Sequence, residues 1–417
     1  MRIAVIGSGI SGLVAAYQLA DEADITVYEA NDYVGGHTHT VDVSTDSSQY
    51  AVDTGFIVFN DWTYPNFCGL MDKLGVESQK SDMSFGMRSD PSGIEFALPS
   101  MNSFFANRVN LLNPKYYALL RDVVRFNRVA KEHVHFGISF MTLGEFFNQH
   151  HFSESFLNWY VIPMIAAIWS ADPKSVADLP AQYFLNFFKH HGLLNVFERP
   201  QWRVIKDGSS QYIKPLSESF ASNIRLNSPI DSIERLGHGV RVEVIGGETE
   251  TFDHVIIATH SNQALAMLSD ASDKEKEILG AIRYMTNDVV LHTDKTILPK
   301  SRRAWASWNY RIHEGESSQA QLTYHMNRLQ GLKSSEEFCV SMNQTQHIDS
   351  DCVLGQFEYS HPAYDSAAIL AQKRHREISG VNRTHFCGAY WGYGFHEDGV
   401  NSALAAMSYF GKGEINA

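Results

Sequence analysis

The first thirty residues constrain the fold more than any other part of the chain. A short β-branched run, Arg2 to Ile6, leads into a glycine-rich turn. A small, apolar helical face from Leu13 to Ala20 follows, and then a second strand-like run, Asp24 to Tyr28, that ends on Glu29. The turn consists of Gly7, Ser8, Gly9, Ile10, Ser11 and Gly12. Its spacing, G-x-G-x-x-G between a strand and a helix, predicts a β-α-β unit that binds a dinucleotide.

Each residue type in this unit has a physical reason to be there. Gly7 permits the tight turn out of the strand, and Gly9 lacks a Cβ, so a pyrophosphate can approach the backbone. Gly12 lets the helix pack close to the sheet, and the helix N-terminus offers unpaired N–H groups to phosphate. Glu29 can accept both ribose hydroxyls of an adenosine and would repel a 2′-phosphate, which disfavours NADP. A purely structural turn is the alternative, and the strand, helix and acid together argue against it.

Two further glycine segments lie within the next thirty residues. Paired glycines, Gly35 and Gly36, come shortly after the second strand and precede His37. They indicate a second close approach of the backbone to a ligand. The run from Ala51 to Phe59 is strand-like, with Gly55 in its middle. A glycine at such a position marks either a close backbone approach or an ordinary bulge.

Together these segments resemble the FAD-dependent amine oxidase superfamily, which includes phytoene desaturases and protoporphyrinogen oxidase. In that superfamily the second strand ends in Glu, and a Gly-Gly-Arg segment touches the pyrophosphate and flavin. This chain has His37 where the Arg is expected, which weakens the permanent positive charge beside the cofactor. The Gly-Gly-His-Thr pattern is similar to one subgroup, the predicted NAD/FAD-binding oxidoreductases that resemble the flavin domain preceding plant cyclopropane fatty acid synthases. The resemblance covers nearly the whole chain.

The resemblance implies an α/β fold, α+β overall. A Rossmann-like FAD-binding domain of the amine oxidase type is expected at 1–75, 200–265 and 380–417. It is interleaved with a substrate domain of antiparallel sheet plus helices at 76–199 and 266–379. The predicted contacts to a non-covalent FAD are Gly7, Ser8, Gly9, Ile10, Ser11, Gly12, Glu29, Ala30, Gly35, Gly36, His37, Thr38, Thr54, Gly55, Phe56, Ile57, Ile230, Ala258, Thr259, Gly388, Ala389, Asp398, Gly399 and Val400.

The C-terminal segment is the second specific part of the resemblance. A strand-like run, Thr384 to Ala389, leads into an aromatic, glycine-rich loop. A helix is predicted from Glu397 to Phe410, with Asp398 as its N-cap. In the superfamily this helix points its N-terminus at the flavin pyrimidine edge. Free N–H groups from about Gly399 and Val400 would stabilise the negative charge of the reduced ring there.

Two residues of this segment depart from the pattern or add to it. An acidic residue that often holds the ribityl chain is replaced by Ala389. His396 stands in the loop that the superfamily folds against the flavin ring, and we expect it to be catalytic by taking a substrate proton. A structural histidine bonded to loop backbone is the alternative.

The segments between the glycine motifs are rich in aromatic residues, which predict either an apolar chamber or an ordinary core. Four alternating runs predict an antiparallel sheet with one buried face: Asn287 to Thr293, Ala304 to Arg311, Gln319 to Met326 and Glu337 to Met342. The predicted pocket residues are Trp169, Tyr183, Phe184, Phe187, Phe188, Trp305, Trp308, Tyr310, Tyr324, Asn327, Trp391 and Tyr393. Core packing is the alternative for each of them.

Charge and cysteine usage exclude several functions. The net charge is −13, so no basic footprint for nucleic acid and no polybasic handle for anionic membranes is expected. The longest apolar run, Tyr160 to Trp169, is far shorter than the ~20 residues of a membrane span. Four widely spaced cysteines form no CxxC pair, and neither a metal site nor a catalytic triad is expected. A strand that begins at Arg2 leaves no room for a signal peptide, which predicts a cytoplasmic protein.

Two enzymatic interpretations remain open. Better-known amine oxidases of the superfamily place a Lys near flavin N5, and this chain has none between Asp253 and Lys274. We therefore favour oxidation or desaturation of an apolar, lipid or fatty acyl substrate by hydride transfer to flavin N5. Amine oxidation is the alternative, and a non-catalytic flavoprotein that serves a partner enzyme is the second alternative.

Overall fold

A computed structural model describes residues 1–45, 48–98, 100–134, 141–195, 198–313, 315 and 319–415. Its helices are α1 Ile10–Leu19, α2 Pro65–Leu74, α3 Met101–Phe104, α4 Pro114–Val134, α5 Leu143–Gln149, α6 Glu154–Phe156, α7 Ile162–Trp169, α8 Ala181–His190, α9 Ile213–Ser217, α10 Ser261–Met267, α11 Asp273–Gly280, α12 Met326–Leu329, α13 Ser366–Gln372 and α14 His396–Met407. Its strands are β1 Arg2–Ile6, β2 Asp24–Tyr28, β3 Thr40–Ser44, β4 Gln49–Asp53, β5 Phe59–Asn60, β6 Ser78–Lys80, β7 Phe85–Ser89, β8 Ile94–Ala97, β9 Trp202–Ile205, β10 Ile224–Arg225, β11 Ile230–Leu236, β12 Gly239–Val244, β13 Thr249–Phe252, β14 His254–Ile257, β15 Tyr284–His292, β16 Trp308–Ile312, β17 Leu322–His325, β18 Cys339–Met342, β19 Val353–Pro362 and β20 Thr384–Phe386.

The first sheet is parallel throughout, with the strand order β10-β2-β1-β14-β20. Helices α1 and α14 cover one face, where Val5 and Leu13 share a core with Val400. The small sheet β11-β12-β13 and helix α11 cover the other face, where Ile6 and Ile278 meet. Because both faces are buried, the strands read as continuous apolar runs in the sequence. The Rossmann-like half of the predicted fold is confirmed.

The second sheet has seven strands in the order β19-β15-β18-β17-β16-β7-β8. Its pairs are antiparallel, except that β7 lies parallel to β16. Tyr310 and Leu322 on this sheet share a large core with Phe126 of α4 and Phe184 of α8. The expected sheet plus helices is therefore present. Strands β7, β8 and β19 were not expected.

Two predicted elements differ from the structure. The run from Ala51 to Phe59 leaves the strand after Asp53, because the following backbone turns to bond the 37–39 segment through Phe56 N–H to the His37 carbonyl. The sequence from Gln211 to Ala221 predicts one helix, whereas the structure has the short helix α9 flanked by two 3₁₀ turns. In the first case hydrogen bonds to a distant segment end the strand, and in the second case local 3₁₀ bonds interrupt the helix.

The predicted domain boundaries stay predictions. Strand β9 pairs with both β5 and β6, so one small sheet joins residues on either side of the expected boundary at 75. Of the helices that the structure describes, none has both the length and the apolar character needed to cross a bilayer.

Candidate functional site

The predicted cofactor segments meet at one edge of the parallel sheet. Gly7 follows β1, Glu29 follows β2, Ala258 follows β14 and Gly388 lies just beyond β20. All four stand at carboxyl ends of parallel strands, where open α/β sheets bind their ligands. Gly7 has φ +99°, and a Cβ there would lie 3.0 Å from the Ala258 carbonyl oxygen. The convergence follows from the order β2-β1-β14-β20, which the sequence could not supply.

The glycine turn forms an open cradle at the N-terminus of α1. Gly9 is the N-cap of this helix, and a Cβ added there would meet nothing within 4 Å. Gly12 is the opposite case, because a Cβ there would lie 2.0 Å from the Gly7 carbonyl oxygen. The first-turn N–H groups of Ile10 and Ser11 have no partner within the helix. Space, N–H donors and the helix dipole are what a pyrophosphate needs.

Glu29 is buried, and its carboxylate already has four donors. Ser8 N–H and Asn31 N–H each donate to it at 2.9 Å. The Ser8 hydroxyl donates at 2.6 Å and the Asn31 side-chain amide at 2.9 Å. The two backbone donors fix the carboxylate at the sheet edge. The two side-chain donors occupy the lone pairs that ribose hydroxyls would use, and they can rotate away.

The paired glycines lie directly against this cradle. Gly35 and Gly9 form a parallel bridge, and a Cβ on Gly36 would lie 3.1 Å from the Gly9 Cα. Gly36 also has φ +59°, a conformation that favours glycine. Gly55 packs on the next residues, since a Cβ there would lie 2.2 Å from the His37 carbonyl oxygen. Gly55 therefore serves a close backbone approach.

His37 is buried beside two other imidazoles. Its ring centroid lies 5.8 Å from that of His260, 5.6 Å from that of His361 and 5.2 Å from that of Tyr359. Burial lowers the pKa of His37, and it lowers the pKa values of His260 and His361 to about 3. His37 is therefore neutral at pH 7 and does not replace the charge of an Arg. Its Nε2 has no hydrogen-bond partner among the described residues, so it is free for a polar ligand atom.

His396 opens α14 and contacts predicted cofactor residues. Its Nε2 lies 2.9 Å from the Thr38 hydroxyl and 3.2 Å from the Tyr212 hydroxyl, and these two hydroxyls are also bonded to each other. Its ring stacks on Phe56 at 3.5 Å. Burial holds the pKa of His396 well below its usual range, so the imidazole is neutral and is a weaker base than a free histidine. Its catalytic role stays a prediction.

The N-cap of α14 lies three residues earlier than the sequence predicts. Phe395 is the N-cap, and Asp398 occupies the third helical position, where it accepts the Phe395 N–H at 3.0 Å. Gly399 N–H is bonded to the Phe395 carbonyl, so the unpaired N–H groups belong to residues 396–398 and not to Gly399 and Val400. A carboxylate can cap from that position as the second half of a capping box. Burial raises the pKa of Asp398 to about 7.

The remaining predicted cofactor residues lie around this edge. Thr54 bonds the Tyr359 hydroxyl at 2.8 Å, and Ile57 packs with strand residues of the second sheet. Ala389 lies near Gly399, and the nearby Ser402 hydroxyl accepts the Gly388 N–H at 2.8 Å. Ala30 follows Glu29 in the chain, and Ile230 is the first residue of β11. Thr259 lies against Gly7.

Part of the predicted pocket comes together beside the C-terminal loop. The Trp169 indole N–H donates to the Tyr393 carbonyl at 3.2 Å, and its ring packs edge-on against Phe184 and Phe187 at 4.6 and 4.5 Å. Tyr183 lies 4.7 Å from Tyr393 between ring centroids. These five residues, which we call the aromatic wall, join α7 and α8 to the residues preceding α14.

Other predicted pocket residues are elsewhere. Trp308 and Tyr324 form a cross-strand pair with their ring centroids 5.1 Å apart. Both rings pack against the two hydrophobic clusters that lie beside the seven-stranded sheet. Trp305 instead donates to the Pro299 carbonyl, and Asn327 bonds the 336–338 backbone. Trp391 lies against His375, 4.5 Å away. Trp305, Trp391 and Asn327 therefore make contacts outside the aromatic wall, and their role in a pocket stays a prediction.

The sequence analysis missed the polar residues between the two sheets. Tyr359 and His361 lie on β19, and Tyr212, His260 and Tyr284 surround the same space. One signal was available: in β19 the residues Val353, Phe357, Tyr359 and His361 alternate with polar or exposed ones. No three His, Cys, Asp or Glu side chains in the described ranges are arranged to hold a metal ion.

The donor set fits FAD. The open cradle at Gly9, the first-turn N–H groups of α1 and the orphaned Nε2 of His37 are polar features that the protein alone leaves unused. Glu29 would hold the ribose, the 35–37 and 54–57 segments would lie along the flavin, and α14 would point its free N–H groups at the pyrimidine edge. That the FAD is non-covalent stays a prediction.

Comparisons with known proteins agree with this geometry. The model of the family described as flavin containing amine oxidoreductase matches residues 10–323. An amine oxidase (flavin-containing) of Oncorhynchus mykiss is 26% identical over 64% of this chain and 51% of its own length. Protoporphyrinogen oxidase 2 of Arabidopsis thaliana is 28% identical over 42% of this chain and 34% of its own length. The chain thus spans about half or less of the curated relatives it matches. A CLA-producing fatty acid isomerase from P. acnes shares the fold, with a TM-score of 0.69, 15% identity and 98% of each chain covered.

Proposed function

We propose that this chain, which belongs to the flavin-containing amine oxidoreductase family, oxidises or desaturates a carbon–carbon bond of an apolar substrate with FAD as its cofactor. Membership of the family confirms the superfamily and the flavin cofactor that the glycine motifs predicted. The observation that carries the proposed substrate class is the aromatic wall, which adjoins the start of α14 and has Asp398 as its charged neighbour there. A lipid or fatty acyl chain is the substrate that such a surface fits.

The protein's own groups hold the cofactor and adjust its charge. Bound FAD supplies a hydride acceptor at N5. The cradle at Gly9 would hold the pyrophosphate, and Glu29 would hold the ribose once Ser8 and Asn31 release it. The free N–H groups at the start of α14 would stabilise negative charge on the ring. Neutral His396 could accept a proton as hydride leaves the substrate.

The lysines also support this substrate class. Better-known amine oxidases of the superfamily have a lysine beside the flavin, inside the protein. Every lysine of this chain lies in the described ranges, and none of them is buried. One protein that shares the fold is named as a fatty acid isomerase, so the proposed substrate class is compatible with this fold.

Amine oxidation is the second candidate, and one observation favours it. Asp398 is a buried carboxyl beside Tyr183, Tyr364 and Tyr393, and its pKa of about 7 leaves it partly ionised at neutral pH. A carboxylate and aromatic rings together can bind an ammonium group. The family description and the amine oxidase relative point the same way.

One experiment separates these candidates. The purified yellow protein is mixed anaerobically with matched compounds, a medium-chain fatty acyl ester and the primary amine of equal length, and the flavin absorbance is followed. Bleaching by the acyl compound alone supports the proposal, and bleaching by the amine alone supports amine oxidation. If neither bleaches the flavin and the chemically reduced protein does not react with oxygen, the protein is a non-catalytic flavoprotein.

The cofactor site itself has a sharper test. Gly9→Ala leaves the apoprotein folded, because the new Cβ meets no atom within 4 Å, but it fills the space that the pyrophosphate needs. Gly69→Ala in α2 is the matched control, with equally open surroundings and no ligand nearby. We expect FAD to be lost from the first variant and retained in the second. FAD retained in Gly9→Ala with native affinity would contradict the assignment.

A further inference from the structure

Exposed large apolar side chains are concentrated in one short stretch of the chain. Six of the fourteen large apolar side chains that are exposed in the described part of the chain lie within residues 101–124. Leu112 is 88% exposed and Val109 is 72% exposed, the two highest values among them. The six are Met101, Val109, Leu111, Leu112, Tyr117 and Val124. Concentrated exposed apolar groups mark an interaction site.

These side chains lie on neighbouring elements. Residues 108–112 form a 3₁₀ turn between α3 and α4. The Tyr117 hydroxyl donates to the Leu111 carbonyl at 2.7 Å, which places the start of α4 against the turn. The Arg108 guanidinium donates to the Phe105 carbonyl and so ties the turn to the residue after α3. The apolar tips are therefore held together by local bonds.

The same region is basic, although the chain as a whole is acidic. Residues 101–134 contain six Lys or Arg and two Asp or Glu, whereas the net charge of the chain is −13. One of the two acids, Asp122, is buried and accepts the Ser153 N–H. Lys115, Arg128 and Lys131 form no ion pair with any described residue, so their charge faces solvent.

Helix geometry gathers three cations, Arg121, Arg128 and Lys131, on one face. Arg121 is also 3.2 Å from the Asp122 carboxylate. At 3.6 residues per turn, residues 117, 121, 124, 128 and 131 of α4 fall within about a quarter of the circumference. All five are exposed, whereas Tyr116, Leu119 and Phe126 on the opposite side are buried in the helical core. The sequence shows no polybasic run because the cations are spaced three or four residues apart.

We propose that this surface, formed by residues 101–131, docks the protein onto a bilayer that contains anionic phospholipid. The apolar tips and Tyr117 would enter the boundary between headgroups and acyl chains, and the exposed cations would meet lipid phosphates. The positive charge of this surface is complementary to anionic lipids, which supports a membrane over a protein partner. Repulsion between those lipids and the acidic remainder of the chain would orient the protein with this surface toward the bilayer. This inference rests on the surface alone and is independent of the proposed function.

The test is co-sedimentation of the flavin-loaded protein with phosphatidylcholine vesicles, with and without about 30% phosphatidylglycerol. We expect binding to the anionic vesicles that weakens with added salt. Leu111→Ser/Leu112→Ser should reduce this binding about tenfold or more. The control Leu354→Ser/Leu370→Ser removes two exposed leucines from other elements and should bind like the native protein.

A second pair of variants tests the charges. Arg121→Glu/Arg128→Glu should abolish the preference for anionic vesicles, whereas Lys80→Glu/Lys300→Glu, which changes charge elsewhere, should retain it. The flavin absorbance ratio and melting temperature show that each variant is folded.

Three outcomes would overturn the proposal. The native protein could fail to bind either kind of vesicle, or the leucine variant could bind as tightly as the native protein. The native protein could also be a dimer that Leu111→Ser/Leu112→Ser converts to a monomer, in which case the surface is a protein interface.

Discussion

Asp398 and Asp90 carry the same side chain in opposite surroundings. Asp398 lies at the start of α14 among tyrosines, and burial raises its pKa to about 7. Asp90 follows β7 at the edge of the seven-stranded sheet. Burial there is outweighed by hydrogen bonds and charge from Arg311 and Arg88, so the pKa of Asp90 is lowered. Arg88 donates to Asp90 at 2.8 Å and Arg311 at 2.9 Å.

The difference shows how the candidate site is built. Near the predicted flavin, the buried imidazoles of His37, His260 and His361 are neutral and Asp398 is partly protonated. At the sheet edge, charged groups are paired and stay charged. The neutral groups near the predicted flavin can still bond a ligand, as the unpartnered Nε2 of His37 shows. The charged groups around Asp90 already bond one another. Four experiments can break or sharpen this contrast.

The largest effect is expected at Glu29, a buried carboxylate with N–H donors and no cation. Glu29→Ala would remove two charge-assisted bonds to the ribose, each worth about 1.5–3 kcal/mol, so FAD affinity should fall by at least about a hundredfold. Asp32→Ala, three residues further on and exposed, is the matched control. Flavin release on dialysis measures both. Full occupancy of Glu29→Ala would remove the ribose assignment.

Asp90→Asn should give the next largest effect. The substitution leaves two half-buried guanidiniums without their carboxylate, which costs about 3 kcal/mol of unfolding free energy at pH 7. Because the native pKa of Asp90 is lowered, its stabilisation is present at neutral pH and is lost as the pH falls through that pKa. The cost of Asp90→Asn should therefore shrink in acid. Asp21→Asn, an exposed acid, controls for net charge, and an equal loss there would contradict the pairing.

Asp398→Asn should show the opposite pH dependence. The native state keeps the Asp398 proton at a higher pH than the unfolded chain, so its contribution is present below about pH 4 and is lost as the pH rises through about 7. Relative to Asp398→Asn, native apoprotein should lose about 4 kcal/mol of unfolding free energy across this range. Denaturant unfolding at several pH values measures it. Parallel curves would show that Asp398 ionises freely.

The smallest effect is expected for His37. Because burial lowers its pKa from the usual value, His37 is mostly neutral at pH 7 and above, and FAD affinity should not change between about pH 7 and 8. Titration of apoprotein with FAD at several pH values tests this. A steep loss of affinity with rising pH would show that the imidazole is cationic when FAD is bound. His37→Arg should then retain FAD and remove the pH dependence.

The sequence predicted the parts of the site that depend on backbone. Gly7 and Gly12 are needed because a Cβ there would crowd the backbone, and Gly9 because a Cβ would fill the space for the pyrophosphate; that requirement is visible in their spacing. It could not locate Tyr359 and His361, since their strand reaches the site only through pairing with β15. It placed Asp398 at the N-cap because an aspartate suits both positions, and only the backbone at Phe395 decides between them.

Surface position was the least predictable. The aromatic residues Trp169 and Trp305 looked equivalent in the sequence, yet one lies in the aromatic wall and the other donates to the Pro299 carbonyl. The arginines of α4 were invisible as a group because their spacing follows the helix and not the chain. Tertiary packing decides such cases, and local pattern carries little information about it.

The strand order of the parallel sheet has a consequence for synthesis on the ribosome. The central strand β1 emerges well before its partner β14, which lies about 250 residues later in the chain, and β20 lies later still. At roughly 5–20 residues per second, β1 has one exposed edge for on the order of tens of seconds. The nascent chain thus presents an apolar strand that the finished protein never exposes. Chaperone dependence during translation, and slow refolding from denaturant, are what this arrangement leads us to expect.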